Sequence, residues 1–326
     1  MRFGINILQS QVGGQSEGDI FRQAVEQVQL AEALGFHSVW MTEQHFNDFG
    51  ICPDPLAFAA HLAGVTKRIR LGTGVVVLSI HNPIEVAERA ALVDQLSNGR
   101  LDLGVGKGHP RQNYEAFNIR PEENAARFYE AVEIIRRVWQ EPELTIESEF
   151  LHAKNVRLVP RPIQSPHPPI WIATFGSPDV IQYAARQGFP LLQSASAEGL
   201  KKNYALYCEE FTGSTAPDRS VIRMIYICED AGEARAEMQK PGRWYVDNNP
   251  GKPEKILNYE IAVAEMISKL GIVGSPQDCI DAIRNLRDTS GIEYLICVFG
   301  PGGVPQEKVL ASMRLFAEKV MPEFAD

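Results

Sequence analysis

Three clusters of polar residues interrupt otherwise apolar runs, and each falls where a buried strand should end. The first is Glu43, Gln44 and His45 within HSVWMTEQHF (37–46). A carboxylate, an amide and an imidazole in a row can move a proton, orient a substrate or stabilise developing charge. Equally, Glu43 and His45 can do no more than satisfy buried backbone groups. The second is Lys107, between two glycines in GVGKGHPRQNY (104–114), with His109 and Arg111 following. A cation at a glycine-flanked strand end suits a phosphate, although the spacing GxxxxGK[ST] is absent; a solvated loop lysine is the alternative. The third is TFGSPD (174–179), where Thr174, Phe175, Gly176 and Ser177 lead into a helix. Its amide end and hydroxyl make an anion site, or simply a capped helix start.

Two glycines, Gly72 and Gly74, lie in the strand-like run RLGTGVVVLS (70–79). Glycine weakens a strand unless something approaches the backbone closely. A flat aromatic cofactor on the strand end is one such object, and a bulge or tight bend is the other. The chain has no HExxH pair, and its seven histidines are scattered, so no metal constellation emerges.

Short β-branched runs alternate with helical stretches throughout. Strands are expected near 2–8, 38–43, 70–78, 101–106, 169–174, 190–194, 221–228 and 294–299. Helices are expected near 19–34, 54–66, 83–97, 121–140, 177–187, 197–212, 230–246, 276–289 and 305–319. Such alternation implies parallel strands with helical crossovers. Eight strand–helix units fit a closed α/β (β/α)8 barrel better than an open doubly wound sheet, which would carry GxGxxG after its first strand. In such a barrel the strand C-termini form the active-site face, so polar groups clustered at those ends are candidates for chemistry, and Lys107 and the 174–177 turn could converge above adjacent strands. Asp54 before Pro55 and Asn82 before Pro83 mark helix starts. Gly35, Gly99 and Gly188 follow helices as left-handed caps. The rhythm breaks twice: a β-excursion at 141–168, after the fourth helix, and a lid-like stretch at 247–275, polar at first (DNNPGKPEK) and then helical (YEIAVAEMISKL). No composition shift marks a second domain, so residues 1–326 read as one barrel with these two insertions.

The chain carries 44% apolar and 22% charged residues and a net charge of −9, with acidic and basic residues interspersed. A nucleic-acid or anionic-membrane surface needs clustered cations, which are missing. No apolar run approaches a membrane span, and MRFGINILQSQ is too short for a signal segment. Five widely spaced cysteines without a CxxC pair suit a reducing cytoplasm. Cys228 and Cys297 lie in strand-like runs and are expected to be buried.

Together the segments MRFGINIL, GFHSVWMTEQHFNDFG, AAHLAGVTKRIRLGTGVVVL, NPIEVAERAALVDQLSNGRLDLGVGKG, PPIWIATFGSPDVIQYAARQG and VGSPQDCIDAIRNL resemble the luciferase-like family of flavin-dependent monooxygenases. The ending SGIEYLICVFGPGG…VLASMRLFAEKVMP fits too, and the likeness runs to the alpha subunit of bacterial luciferase. It covers most of the chain except about 141–165 and 200–270.

The resemblance implies a barrel that takes reduced FMN from a separate flavin reductase, adds O2 to give a flavin hydroperoxide, and oxidises a small organic substrate. It places a non-prolyl cis peptide at Gly74 and Val75, beneath the isoalloxazine. Lys107 falls on the family's phosphate-binding arginine, keeping the charge but not the fork. Thr174, Phe175, Gly176 and Ser177 fall on the phosphate-binding turn, and Arg127 falls where a further phosphate contact would come.

Three departures stand out. Gln44 occupies the position of the family's catalytic histidine and cannot titrate. Gly106 replaces a reactive cysteine, and the region before VGSP is shorter. The resemblance also implies a homodimer through DPLAFAAHLAGVTK and PIEVAERAALVDQL, whose alanines permit close helix approach. A relative using 8-hydroxy-5-deazaflavin for hydride transfer, and a flavin-binding partner subunit without catalysis, are the competing readings. A phosphate clamp argues against the second of these.

Overall fold

The β-branched runs pair in parallel, and each hands its chain to a helix on the outside. The computed structural model describes residues 1–108, 111–250, 256 and 258–325. His109, the side chain of Arg111 and residues 251–255 and 257 lie outside the described residues. The first half runs β1 (Arg2–Ile7), α1 (Glu17–Ala33), β2 (Ser38–Met41), α2 (Pro55–Val65), β3 (Arg70–Thr73), β4 (Val76–Val77), α3 (Pro83–Ser97), β5 (Leu101–Gly106), α4 (Arg111–Ala116) and α5 (Asn124–Gln140). A hairpin follows, β6 (Leu144–Glu147) and β7 (His152–Val156), then β8 (Ile170–Thr174), α6 (Pro178–Gln187), β9 (Leu191–Gln193) and α7 (Ala197–Glu210). The last part is β10 (Ser220–Ile227), α8 (Ala231–Glu237), α9 (Gln239–Asn248), α10 (Tyr259–Leu270), β11 (Gly271–Gly274), α11 (Pro276–Ser290), β12 (Tyr294–Val298) and α12 (Gln306–Leu315).

The sheet order β11-β10-β12-β1-β2-β3-β5-β8-β9 is parallel throughout, with β4 paired to β5. Among the described residues this is the eight-strand barrel order, with β11 added along the C-terminal half of β10. Side chains tie the seam between β9 and β10: Ser220 Oγ donates to the Leu191 carbonyl and the buried Arg223 guanidinium to the Ala195 carbonyl, both at 2.5 Å. Arg223 therefore has a structural task, and burial lowers its pKa to about 10.

Strand alternation sorts the core into two layers. Val39, Met41, Leu71, Leu103, Val105 and Ile172 face outward and pack beneath the helices. Trp40, Trp171, Leu192, Tyr294 and Ile296 fill the barrel interior. Gly72 belongs to this second layer. A Cβ there would sit 2.3 Å from the Trp40 ring, so the glycine makes room for the indole, not for a cofactor. Helix starts follow the sequence signals: Asp54 caps Leu56 and Ala57, and Asn82 caps Ile84.

Four expectations change in detail. The strand expected over 70–78 breaks at a cis Gly74–Val75 peptide into β3 and β4. The helix expected over 230–246 is two helices, α8 and α9. The end of the 247–275 stretch is sheet, because GIVG at 271–274 pairs with β10; so short an apolar run behind a helical pattern carries little periodicity. Cys228 is half-buried, its thiol facing the Asp230 carbonyl, whereas Cys297 is fully buried as expected. All five cysteines are free.

Candidate functional site

Glu43 follows the end of β2 and is buried. Its Oε1 lies 2.8 Å from His45 Nε2 and 2.9 Å from His81 Nε2. Its Oε2 accepts the Val77 backbone N–H at 2.9 Å. Burial pushes the carboxyl upward, but hydrogen bonds from His45, His81 and Val77 outweigh it and hold the group below its ordinary 4.5. His81 was not among the residues expected from sequence; its only signal was a histidine just before the Asn82-Pro83 helix start. The ligating atoms of Glu43, His45 and His81 lie within 4.8 Å of one another, a grouping that sequence spacing did not suggest. Both imidazoles already engage one carboxylate oxygen and a backbone amide the other, so the trio serves as a brace between the ends of β2 and β4. The ring of His45 also packs edge-on against Phe117.

Gln44 points differently. Its backbone N–H donates to the Cys52 carbonyl. Its aliphatic stem packs on Gly50, where a Cβ would lie 2.7 Å from Gln44 Cγ. The carboxamide makes no hydrogen bond among the described residues, so it is available to a ligand. Nearby, Asn6 Nδ2 donates to Thr42 Oγ1, and the space over Gly74 is bounded by Asn6 and Trp40.

Half-buried Val75, Ala173 and Ile222 lie on the interior cluster and form the floor of the barrel mouth. Gly106 faces the same floor: a Cβ there would come to 3.0 Å from Val75 Cγ2. Phe49, in the loop after β2, stacks on Trp244 and meets Tyr245 edge-on, so α9 leans over this side of the mouth. Burial pushes the Tyr245 hydroxyl up to about 12.

The third cluster is tightly tied. Thr174 Oγ1 accepts the N–H groups of Gly176 and Ser177, at 3.1 and 3.0 Å. These two amides, expected to be free for an anion, are thus occupied. Gly176 sits at φ +108°, a conformation that favours glycine. The Ser177 hydroxyl does not cap α6; it donates to Asp179 Oδ1 at 2.6 Å. Lys107 Nζ lies 3.5 Å from Asp179 Oδ2, and Tyr129 Oη donates to the same oxygen at 2.9 Å. The Lys107 carbonyl is fixed by Ser79 Oγ at 2.7 Å and Tyr114 Oη at 2.9 Å. Lys107 and the 174–177 turn therefore meet, through Asp179. Hydrogen bonding from Ser177, then Tyr129 and Lys107, lowers the Asp179 carboxyl from 3.8 to about 2 despite partial burial. Phe175 is 81% exposed at the rim. Arg127 is engaged elsewhere: it pairs with Glu123 at 2.8 Å and lies over the Phe150 ring. From α5 the turn is reached by Tyr129, a residue the sequence did not single out.

These residues fit a phosphorylated flavin. Gly74 and Gly106 leave the floor free of side-chain bulk, and a cation, a hydroxyl and a helix amide end lie at one edge. Residues 1–293 match the family described as luciferase-like monooxygenase, and the chain belongs to that family. Over its whole length it is 29% identical to the oxygenase component of the flavin-dependent trigonelline monooxygenase of Acinetobacter baylyi, covering 96% of that protein. Monooxygenase RslO1 from Streptomyces bottropensis superposes with a TM-score of 0.87 at 31% identity, each chain wholly covered. Two more distant structures share the fold. One is the oxygenating constituent of 3,6-diketocamphane monooxygenase of Pseudomonas putida in complex with FMN (TM-score 0.82, 20% identity, 99% and 98% covered). The other is the coenzyme F420 dependent tetrahydromethanopterin reductase of Methanopyrus kandleri (TM-score 0.77, 17% identity, 99% of each covered).

Proposed function

We propose that this monooxygenase is the oxygenase half of a two-component system, taking reduced FMN from a separate flavin reductase and using O2 to oxidise a small organic molecule. One observation carries the reading: Lys107 and Ser177 converge on a single anionic group beside a floor kept open by Gly74 and Gly106. When bound, reduced FMN supplies the electrons that split O2, one atom passing to substrate and the other to water. The protein's own work is to hold the phosphate through Lys107, Ser177 and the α6 amide end, to seat the ring on Val75 and Ala173, and to keep water out with α9 and its aromatic contacts to Phe49. Gln44 orients substrate or donates a hydrogen bond at the reacting centre. Glu43 and His45 support this from behind and are not themselves the reacting groups.

Deazaflavin-dependent hydride transfer is the alternative. Anaerobic titrations with reduced FMN and with reduced 8-hydroxy-5-deazaflavin cofactor separate the two. Tighter binding of reduced FMN, followed by flavin oxidation on adding O2, is expected. Preference for the deazaflavin, without reaction with O2, overturns the reading. Two accompanying proposals are a cytoplasmic location, from the cysteine pattern, and a homodimer through α2 and α3. Among the described residues, no helix is long and apolar enough to cross a membrane.

A further inference from the structure

We propose that Asp179 is an internal counter-anion of the phosphate seat: in the flavin-free enzyme its carboxylate holds the donors that phosphate takes, and it sets how tightly phosphorylated flavin binds. The proposal rests on the phosphate reading of the 174–177 turn given above.

Three chain segments bring donors to this one carboxylate. Ser177 Oγ comes from the turn itself at 2.6 Å, Tyr129 Oη from α5 at 2.9 Å, and Lys107 Nζ from the end of β5 at 3.5 Å. Asp179 is also the second residue of α6, at the positive end of the helix dipole. An aspartate that merely stabilised the helix start would need only the dipole. It would not require a lysine from 72 residues away and a tyrosine from 50 residues away to converge on it.

The consequence is a competition. A phosphate entering the seat brings a second anion to Lys107 and the α6 amide end. The Asp179 side chain is 57% exposed and Lys107 is 26% exposed, so the carboxylate has open solvent into which to turn. Donors then pass from carboxylate to phosphate on binding, and back on release, without standing bare. This suits an oxygenase that must accept flavin and return it each cycle, because neither state leaves a partly buried cation unpaired. The displaced ion pair is partly solvated, so its cost is modest: removing the carboxylate should tighten phosphorylated flavin by about fivefold, near the upper end for such a pair.

The test is fluorescence titration of oxidised FMN and riboflavin, which differ only in the phosphate, against the full-length wild type, Asp179→Asn, Asp179→Ser and Lys107→Ala. Thermal melting of each flavin-free variant checks folding, and the serine variant stands in if the asparagine variant is unstable. Asp179→Asn keeps acceptors for Ser177 and Tyr129 but removes the charge. It should bind FMN about fivefold more tightly and riboflavin within twofold of wild type. Unchanged or weaker FMN binding overturns the proposal. Lys107→Ala separates this from failure of the site itself. If it weakens FMN but not riboflavin, the phosphate seat stands and only the role of Asp179 is in question. If it alters neither, the seat lies elsewhere and the proposal falls with it.

Discussion

Val77 donates its backbone N–H to Glu43 Oε2 across 2.9 Å, so the end of β2 holds the short strand that follows the mouth floor at Val75. The other oxygen of Glu43 takes both His45 and His81. One buried carboxylate thus ties the loop after β2 to the stretch from β4 to His81. Glu43→Gln should destabilise the protein by about 1–3 kcal/mol at neutral pH, the cost of leaving buried hydrogen-bonding groups mismatched. The sign of the pH effect follows from the lowered carboxyl. A group held below its ordinary 4.5 stabilises the fold fully above that value, and the contribution fades as pH falls through the lower folded value. The stability gap between wild type and variant should therefore narrow below about pH 4.5. Chemical denaturation at pH 7 and pH 4 checks this; a gap of constant size would show that the charge of Glu43 contributes nothing.

Lys107 is the cation at the proposed phosphate edge, and its main chain is fixed by Ser79 and Tyr114. Lys107→Ala should weaken reduced FMN by about 1–3 kcal/mol, the range for losing a charge-assisted hydrogen bond. Reduced riboflavin should be nearly indifferent. Anaerobic titration of both flavins decides the matter, and equal losses would place Lys107 away from the phosphate.

Much of this arrangement was legible in the chain. Eight apolar runs separated by capped helices specify the barrel, and polar residues at strand ends specify which face matters. Lys107 and the 174–177 turn were readable because each lies within a few residues of its strand. His81 and Tyr129 were not, nor was the convergence of Lys107 and Tyr129 on Asp179. His81 meets Glu43 from 38 residues away, and Asp179 meets Tyr129 from 50 away. Such contacts depend on how two loops approach over the barrel, which no local periodicity encodes. Gly72 misled for a related reason: the object approaching its backbone is Trp40 on the neighbouring strand.

The proposed homodimer would meet through an apolar ridge on α3. Leu92 and Leu96, one turn apart on α3, are 45% and 57% exposed, and Val65 ends the adjacent α2. Exposed leucines spaced i, i+4 present an apolar ridge to a partner helix. Leu92→Glu with Leu96→Glu should convert the dimer to a folded monomer. Light scattering at micromolar concentration measures it. A monomeric wild type would refute the dimer outright, and a charged variant that stays dimeric would move the interface to another face.

The stem of Gln44 is fixed against Gly50, and its carboxamide finds no partner among the described residues. A histidine in this place would titrate near its ordinary pKa of about 6.5 and lend the rate a matching pH dependence. Glutamine can only orient and donate. Gln44→Ala should leave flavin affinity nearly unchanged but slow substrate oxidation, by no more than the ~10²–10³-fold that loss of one oxyanion donor costs. More of the O2 consumed should then appear as hydrogen peroxide. Gln44→His is expected to introduce a rate inflection near neutral pH without restoring efficient aldehyde-dependent light, since Gly106 also differs from the luminescent pattern. The measurement is product formed and peroxide released per FMN oxidised, for wild type and both variants, with reduced FMN supplied by any reductase. Identical coupling in wild type and Gln44→Ala would reduce Gln44 to a packing residue on Gly50.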